Sequence, residues 1–402
     1  MEVTYKQISN IAMTLFFAVA LNPEWSSNPI FWWGSVFLAL GVYAATHHFS
    51  VPFRMTQFKT WFLLFFCVCL LSIPLAINRS NSLNTMKTLV VLVMMVFVMD
   101  GDIITKLDLE KYMKMYMIAA AVMMLYLVLY FDLNSFQLTQ RGMATTGMWN
   151  GNDVGLKCAV FIIFFLYFFD SDRRLGMRFL LLGGAVLALV LLYFTASRKA
   201  LLMAVFGIAL YYYFKHPNKR FRNLLIILFG IYAAFQLVMN VPELYEAIGW
   251  RIEGMLALVT GEGVADGSAL LRAQYIQVGL DAFKESPIIG YGIDNYRYIN
   301  LRETGHLTYS HNNFVEMLVG VGGIGFLVYY FYYIKLTCDF LRLYFRRNTS
   351  MLLNTVAICF LCFFAMHIAV VSYYDILQNI LILFLSKALV IQKSSIVAEE
   401  LE

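Results

Sequence analysis

Three short segments of the chain combine residue types that hold anions or move protons. Thr195-Ala196-Ser197-Arg198-Lys199-Ala200-Leu201-Leu202 sets two cations side by side. Ala269-Leu270-Leu271-Arg272-Ala273-Gln274-Tyr275 carries a guanidinium on what reads as the first turns of a helix. Tyr309-Ser310-His311-Asn312-Asn313-Phe314-Val315-Glu316 surrounds a histidine with amides and a carboxylate. Arginine and lysine bind phosphate oxygens, and imidazole takes a proton near neutral pH without a metal. A phosphate whose charge is neutralised leaves readily, whereas a hydroxyl is a weak nucleophile that gains from proton removal. Arg198 and Arg272 are therefore candidates to clamp a pyrophosphate, and His311 to act as general base. Lys199, Tyr275, Tyr291, Asn312, Asn313 and Glu316 are candidate substrate contacts, and Tyr291, Tyr296, Tyr298 and Tyr309 offer flat faces on which a sugar can stack. Taken singly, each has a plainer alternative. Arg198 can snorkel at an interface, Arg272 can pair with Glu262 or Asp266, and His311 can be a satisfied interfacial residue.

The elements that must position these residues are membrane spans. The 402 residues are 61% hydrophobic and 14% charged, against about 45–50% and about 25% in a soluble protein. A mean hydropathy of +0.70 excludes a set of soluble domains. About twelve apolar runs suffice for helical spans, near 8–21, 29–46, 60–76, 86–99, 112–131, 153–169, 179–194, 200–214, 223–240, 312–334, 351–370 and 375–392. The alternating ten-residue segments of a β-barrel are absent. The expectation is an all-α polytopic membrane protein forming one integral membrane domain over 1–402. With the N-terminus inside, most of the 30 Lys and Arg residues fall on cytoplasmic flanks, and both termini are cytoplasmic. The net charge of +5 then records topology rather than a nucleic-acid partner. Lys6, a short apolar run and Ala18-Val19-Ala20 resemble a signal peptide with a small-residue cleavage site. The retained Met1 favours an uncleaved first span.

Residues 241–310 form one large extracytoplasmic loop. A glycine-rich stretch precedes a helix expected over 268–284, with Ser268 as its cap and Leu271, Tyr275, Val278 and Ala282 on one face. Ser286-Pro287 ends it, and Gly290-Tyr291-Gly292 turns into an aromatic polar segment. Other motifs read as packing or topology. Gly320-Val321-Gly322-Gly323-Ile324-Gly325 matches a dinucleotide pattern but lies in an apolar span, where close helix packing explains it. Asp170-Ser171-Asp172 and Asp100-Gly101-Asp102 look like metal-binding DxD pairs but sit in short cytoplasmic connections. The six cysteines read as small buried hydrophobes, with no zinc-ligand spacing. His367 reads as a hydrogen-bonded core residue. Neither a metal nor a cofactor is expected.

The order of these segments resembles the O-antigen ligase and O-antigen polymerase superfamily. The resemblance rests on Ser197-Arg198-Lys199-Ala200-Leu201-Leu202; on Arg272 leading to Gly279-Leu280 and Ser286-Pro287-Ile288-Ile289-Gly290-Tyr291-Gly292; and on His311 followed by Gly322. It covers about 195–325 and agrees with the span count over the whole chain. It implies a bacterial inner-membrane glycosyltransferase that moves an oligosaccharide from undecaprenyl pyrophosphate, inverting and metal-independent, on the extracytoplasmic side. Carried over by position, Arg198 and Arg272 bind the pyrophosphate and His311 activates the acceptor hydroxyl. A polymerase of O-antigen or capsule repeat units, working with a chain-length-regulating co-polymerase, is favoured by the Gly290–Tyr296 run. A ligase with a lipid A core acceptor is the alternative. A transporter or flippase of lipid-linked oligosaccharides is the competing class, but it should show mid-bilayer charge pairs or inverted repeats.

Overall fold

The computed structural model describes residues 5–46, 54–130, 150–195, 197–242, 245–250, 253–254 and 267–401. The described residues are helical without a strand, in the order α1 Tyr5–Leu21, α2 Pro23–Ser27, α3 Pro29–Thr46, α4 Gln57–Ser72, α5 Arg79–Asp102, α6 Lys106–Leu129, α7 Gly151–Ser171, α8 Leu175–Phe194, α9 Arg198–Lys215, α10 Arg220–Asn240, α11 Gly267–Glu285, α12 Tyr296–Thr304, α13 Asn313–Phe345, α14 Met351–Ala365 and α15 Ile376–Leu401. Each of the twelve apolar runs coincides with a helix. Among the described residues ten helices are long and apolar enough to cross a membrane. The other two runs are α1, which is shorter, and α9, which bears Arg198 and Lys199 at one end and Lys215 at the other. The chain is an all-α polytopic membrane protein.

Polar side chains mark where the helices begin. Thr56, Asn78, Asn150, Ser197, Asn312 and Ser350 each accept a backbone N–H of the helix that follows, satisfying donors that have no intrahelical partner. Thr105 and Asp108 form a reciprocal capping box on α6. The core centres on α7, buried along nearly its whole length and packed against α8, α9 and α14. Small residues let α7 and α9 approach closely: a Cβ on Gly155 would lie 2.6 Å from that of Ala200. The run Ala18-Val19 lies buried in α1, which packs on α3 and α6. Cys69, Cys158, Cys359 and Cys362 are buried, as expected, whereas Cys67 and Cys338 are exposed.

Contacts between helix ends sort the connections into two sets. At one end the Lys157 ammonium donates to the Leu21 carbonyl, Asn78 N–H to Asn295, and the Ser372 and Tyr373 N–H groups to Asn313. At the other end Lys59 and Lys387 pair with Asp100 at 3.4 and 3.1 Å, and Lys215 with Asp170 at 2.6 Å. Among the described residues these contacts gather the helix ends into two groups. The aspartates of both DxD sequences are held by basic side chains, Asp102 by Lys111 at 2.8 Å and Asp172 by Arg174 at 2.6 Å.

The long connection between α10 and α13 belongs to the first end. Ser286-Pro287 ends α11 as expected, but the helix starts at Gly267, so Ser268 lies inside it rather than before it. On its expected apolar face Tyr275 and Ala282 are buried and Leu271 is exposed. Tyr296–Thr304 forms a further helix, α12, where the sequence suggested only an aromatic segment. The glycine motif in α13 does pack closely, against a turn instead of another helix. Gly322 has φ +67° and ψ −173°, which breaks the helix. The chain of Pro287–Tyr291 docks on the break: Gly323 N–H donates to the Pro287 carbonyl (2.8 Å) and Tyr291 N–H to the Val319 carbonyl (2.8 Å). Backbone groups freed by the kink are thereby satisfied.

Candidate functional site

His311 is the connecting residue between the loop and α13, and the structure holds it tightly. Its backbone has φ +58°, a left-handed conformation that costs a non-glycine residue about 1–2 kcal/mol. The turn is fixed from below by Glu316, whose carboxylate accepts both the N–H (3.0 Å) and the hydroxyl (2.7 Å) of Ser310. Asn312 caps α13 through Phe314 N–H (2.9 Å) and Val315 N–H (3.2 Å). Asn313 ties α13 to the α14–α15 connection, accepting the Ser372 and Tyr373 N–H groups and donating to the Tyr330 hydroxyl. Asn313 and Glu316 are buried, and their side chains serve the scaffold. Strain persists where the surroundings over-determine a conformation, and here three side chains do so.

The imidazole is half-buried between two phenols, with the Tyr309 ring 4.2 Å and the Tyr275 ring 6.3 Å away, the latter nearly parallel. Burial lowers its pKa to about 4, helped by the positive charges of Arg272 and Lys199. At neutral pH it is therefore an uncharged base. Arg272 also acts on Tyr309, whose hydroxyl burial pushes up. The structure thus brings together His311, Arg272, Lys199, Tyr275 and Tyr309, which come from three segments far apart in sequence.

Arg198 and Lys199 are the first two residues of α9, and the turn before them is built from side chains. Thr195 accepts the Ser197 N–H (3.3 Å), and the Ser197 hydroxyl donates to Asn152 at the start of α7 (2.8 Å). The Lys199 ammonium donates to the Ala369 carbonyl. Two cations at a helix N-terminus oppose the helix dipole, so the arrangement is one that an anion would relieve.

The tyrosines of the aromatic segment divide. Tyr291 is half-buried with its hydroxyl on Glu285 (3.0 Å). Tyr296 is fully buried, its hydroxyl donating to the Tyr275 carbonyl (2.6 Å), so it supports Tyr275 and offers no open face. The segment is pinned to the ends of α4 and α5 by Ser72, Asn81, Ser82 and Thr85, which bind Ile293, Asp294 and Asn295. His367 is a buried core residue that contacts Tyr330 (3.1 Å) and Gln378, as the sequence suggested.

A cavity of about 490 Å³ opens beside Tyr309 and Lys199. Its further lining includes Asp153, Lys157, Tyr374 and Asp375, none of which sequence reasoning singled out. Lys157 is 5% exposed and pairs with Asp153 at 2.6 Å. In the sequence Lys157 is one more charge at a span end, and only the fold shows it to be buried against the cavity.

No curated protein matches the chain. A family model described as O-antigen ligase matches residues 183–330. That stretch runs from α8 to the kinked half of α13 and takes in Lys199, Arg272, Tyr275, Tyr309 and His311. Over residues 183–330, then, this multi-pass membrane protein is similar to the O-antigen ligase family.

Proposed function

We propose that the chain transfers an oligosaccharide from undecaprenyl pyrophosphate to a sugar hydroxyl, with inversion and without a metal, at the extracytoplasmic face of the bacterial inner membrane. The observation that carries this reading is the neutral His311 imidazole, fixed in a strained turn between Tyr275 and Tyr309 within the field of Arg272 and Lys199. In the step proposed, the acceptor oxygen attacks the anomeric carbon of the donor sugar from the side opposite the phosphate. Its proton passes to the His311 imidazole. The bond between anomeric carbon and phosphate oxygen breaks, and the lipid pyrophosphate leaves with the electron pair, its charge countered by Arg198 and Arg272. The loop of 241–310 supplies part of the site.

Repeat-unit polymerisation is favoured over transfer to lipid A core. That preference rests on the Gly290–Tyr296 run; the cavity beside Tyr309 has room for the sugar end of an acceptor glycan of either kind. The test is reconstitution with undecaprenyl pyrophosphate-linked repeat units. His311→Ala should abolish transfer and keep donor binding, whereas Arg272→Ala should weaken donor binding. Full activity in the His311 variant overturns the general-base role. A ladder of lipid-linked polymers supports polymerase, and a single transfer to purified lipid A core supports ligase.

A further inference from the structure

The charges around His311 are sorted. Arg272 and Lys199 act on it directly, and Arg198 precedes Lys199 at the start of α9. Neither arginine lines the 490 Å³ cavity, which instead pairs two cations with two carboxylates: Lys157 and Lys199 against Asp153 and Asp375. The cationic groups in it are already engaged. Lys157 donates to Asp153 (2.6 Å) and to the Leu21 carbonyl (2.9 Å), and Lys199 to the Ala369 carbonyl. A pyrophosphate placed there would meet both carboxylates, and like charges in a partly buried site repel strongly. An uncharged polyol meets no such barrier. Its hydroxyls can donate to carboxylates and amides, among them Asp375 and Asn152, and the apolar faces of its rings can lie on Trp32 and Tyr374. The volume falls within the roughly 300–1,000 Å³ of small-molecule sites. Tyr309 belongs to both places, lining the cavity and standing 4.2 Å from the His311 ring.

We propose that this cavity is the acceptor subsite, taking the neutral sugar end of the acceptor glycan, with Asp375 as a hydroxyl-binding residue and Tyr374 as a platform. The proposal rests on the glycosyl-transfer reading. It adds a direction: donor pyrophosphate on the arginine side of His311, acceptor sugar on the Asp375 side, and the proton moving to the imidazole between them. Asp375 suits a clean test because it also caps α15, accepting the Gln378 N–H at 2.9 Å. Asparagine keeps that cap and removes only the charge.

The experiment uses the full chain in nanodiscs. The donor is the lipid pyrophosphate-linked repeat unit isolated from the cells that make it. The acceptor is the free repeat-unit oligosaccharide released from the same lipid by mild acid. Asp375→Asn should raise the acceptor KM at least about tenfold, the loss of one hydrogen bond to a charged group, and leave the donor KM within about twofold. Tyr374→Ala should raise the acceptor KM and leave the donor KM within about twofold. A rise in donor KM in Asp375→Asn, or no change in either constant, overturns the assignment while leaving the transfer reading intact. Absence of transfer by the unsubstituted protein under these conditions overturns the transfer reading and, with it, this proposal.

Discussion

At the scale of single residues, the histidine's environment makes a statement about pH. Burial and the two neighbouring cations lower its pKa from the ordinary 6.5 to about 4. The competent base is the neutral form, so activity is present above the pKa and lost as pH falls through it. In the free protein that loss is expected near pH 4. Bound pyrophosphate counters Arg272, removing part of the depression, so the pKa in the complex rises. The acidic limb of kcat/KM for the donor should therefore sit near pH 4, and that of kcat at a higher pH. Arg272→Ala should shift the kcat/KM limb upward as well. Coincident limbs in the two profiles would separate His311 from the donor clamp. His311 was legible in the sequence as a candidate because a lone histidine beside amides, at a span boundary on the side opposite most basic residues, is chemically conspicuous. The roles of Asn313 and Glu316 were not. Their types suit sugar hydroxyls equally well, and only the fold reveals that both are buried and bonded to Ser372, Tyr373 and Ser310.

At the scale of elements, the helices were legible because lipid leaves each span few alternatives, an apolar run long enough to cross being helical by necessity. Their joints were not. The glycines of α13 read as a packing stripe, yet Gly322 breaks the helix with dihedral angles open essentially to glycine alone. A Cβ there would lie 2.2 Å from the Ile288 carbonyl oxygen. Gly290, with φ +70°, is its counterpart in the docked turn. This joint seats the segment that follows α11, the helix carrying Arg272 and Tyr275. Gly322→Ala is expected to destabilise the protein by at least about 2 kcal/mol, from the backbone strain alone, and to lower transfer activity by displacing Arg272 relative to His311. Gly34→Ala, at an α3 position with nothing within 4 Å of the added carbon, should leave the melting temperature unchanged or slightly raised. Thermal unfolding of the two variants in the same detergent checks the contrast, and equal effects would remove the joint's special role.

At the scale of the whole molecule, the cavity was out of reach of sequence reasoning because its walls come from the end of α1, the starts of α7 and α9, Tyr309 and the α14–α15 connection. Only the folded bundle brings those stretches to one end. The orientation we propose, by contrast, rests on a count over the chain. At the end opposite the cavity, the lysines and arginines face carboxylates: Lys59 and Lys387 on Asp100, Lys111 on Asp102, Lys215 on Asp170, and Lys335 and Lys393 on Asp339. Net charge there is much smaller than the number of basic groups. The rule for sidedness counts Lys and Arg and gives Asp and Glu little weight, so the pairing does not weaken the assignment of this end to the cytoplasm. In a cysteine-free background, Arg302→Cys on α12 should react with a membrane-impermeant maleimide added to intact spheroplasts. Lys106→Cys, 60% exposed at the opposite end, should react only after the membrane is permeabilised. The reverse pattern would turn the protein over and move the cavity, His311 and the two arginines to the cytoplasmic face. There the proposed lipid-linked acceptor and donor could not both be reached from the side on which the chain is read to work.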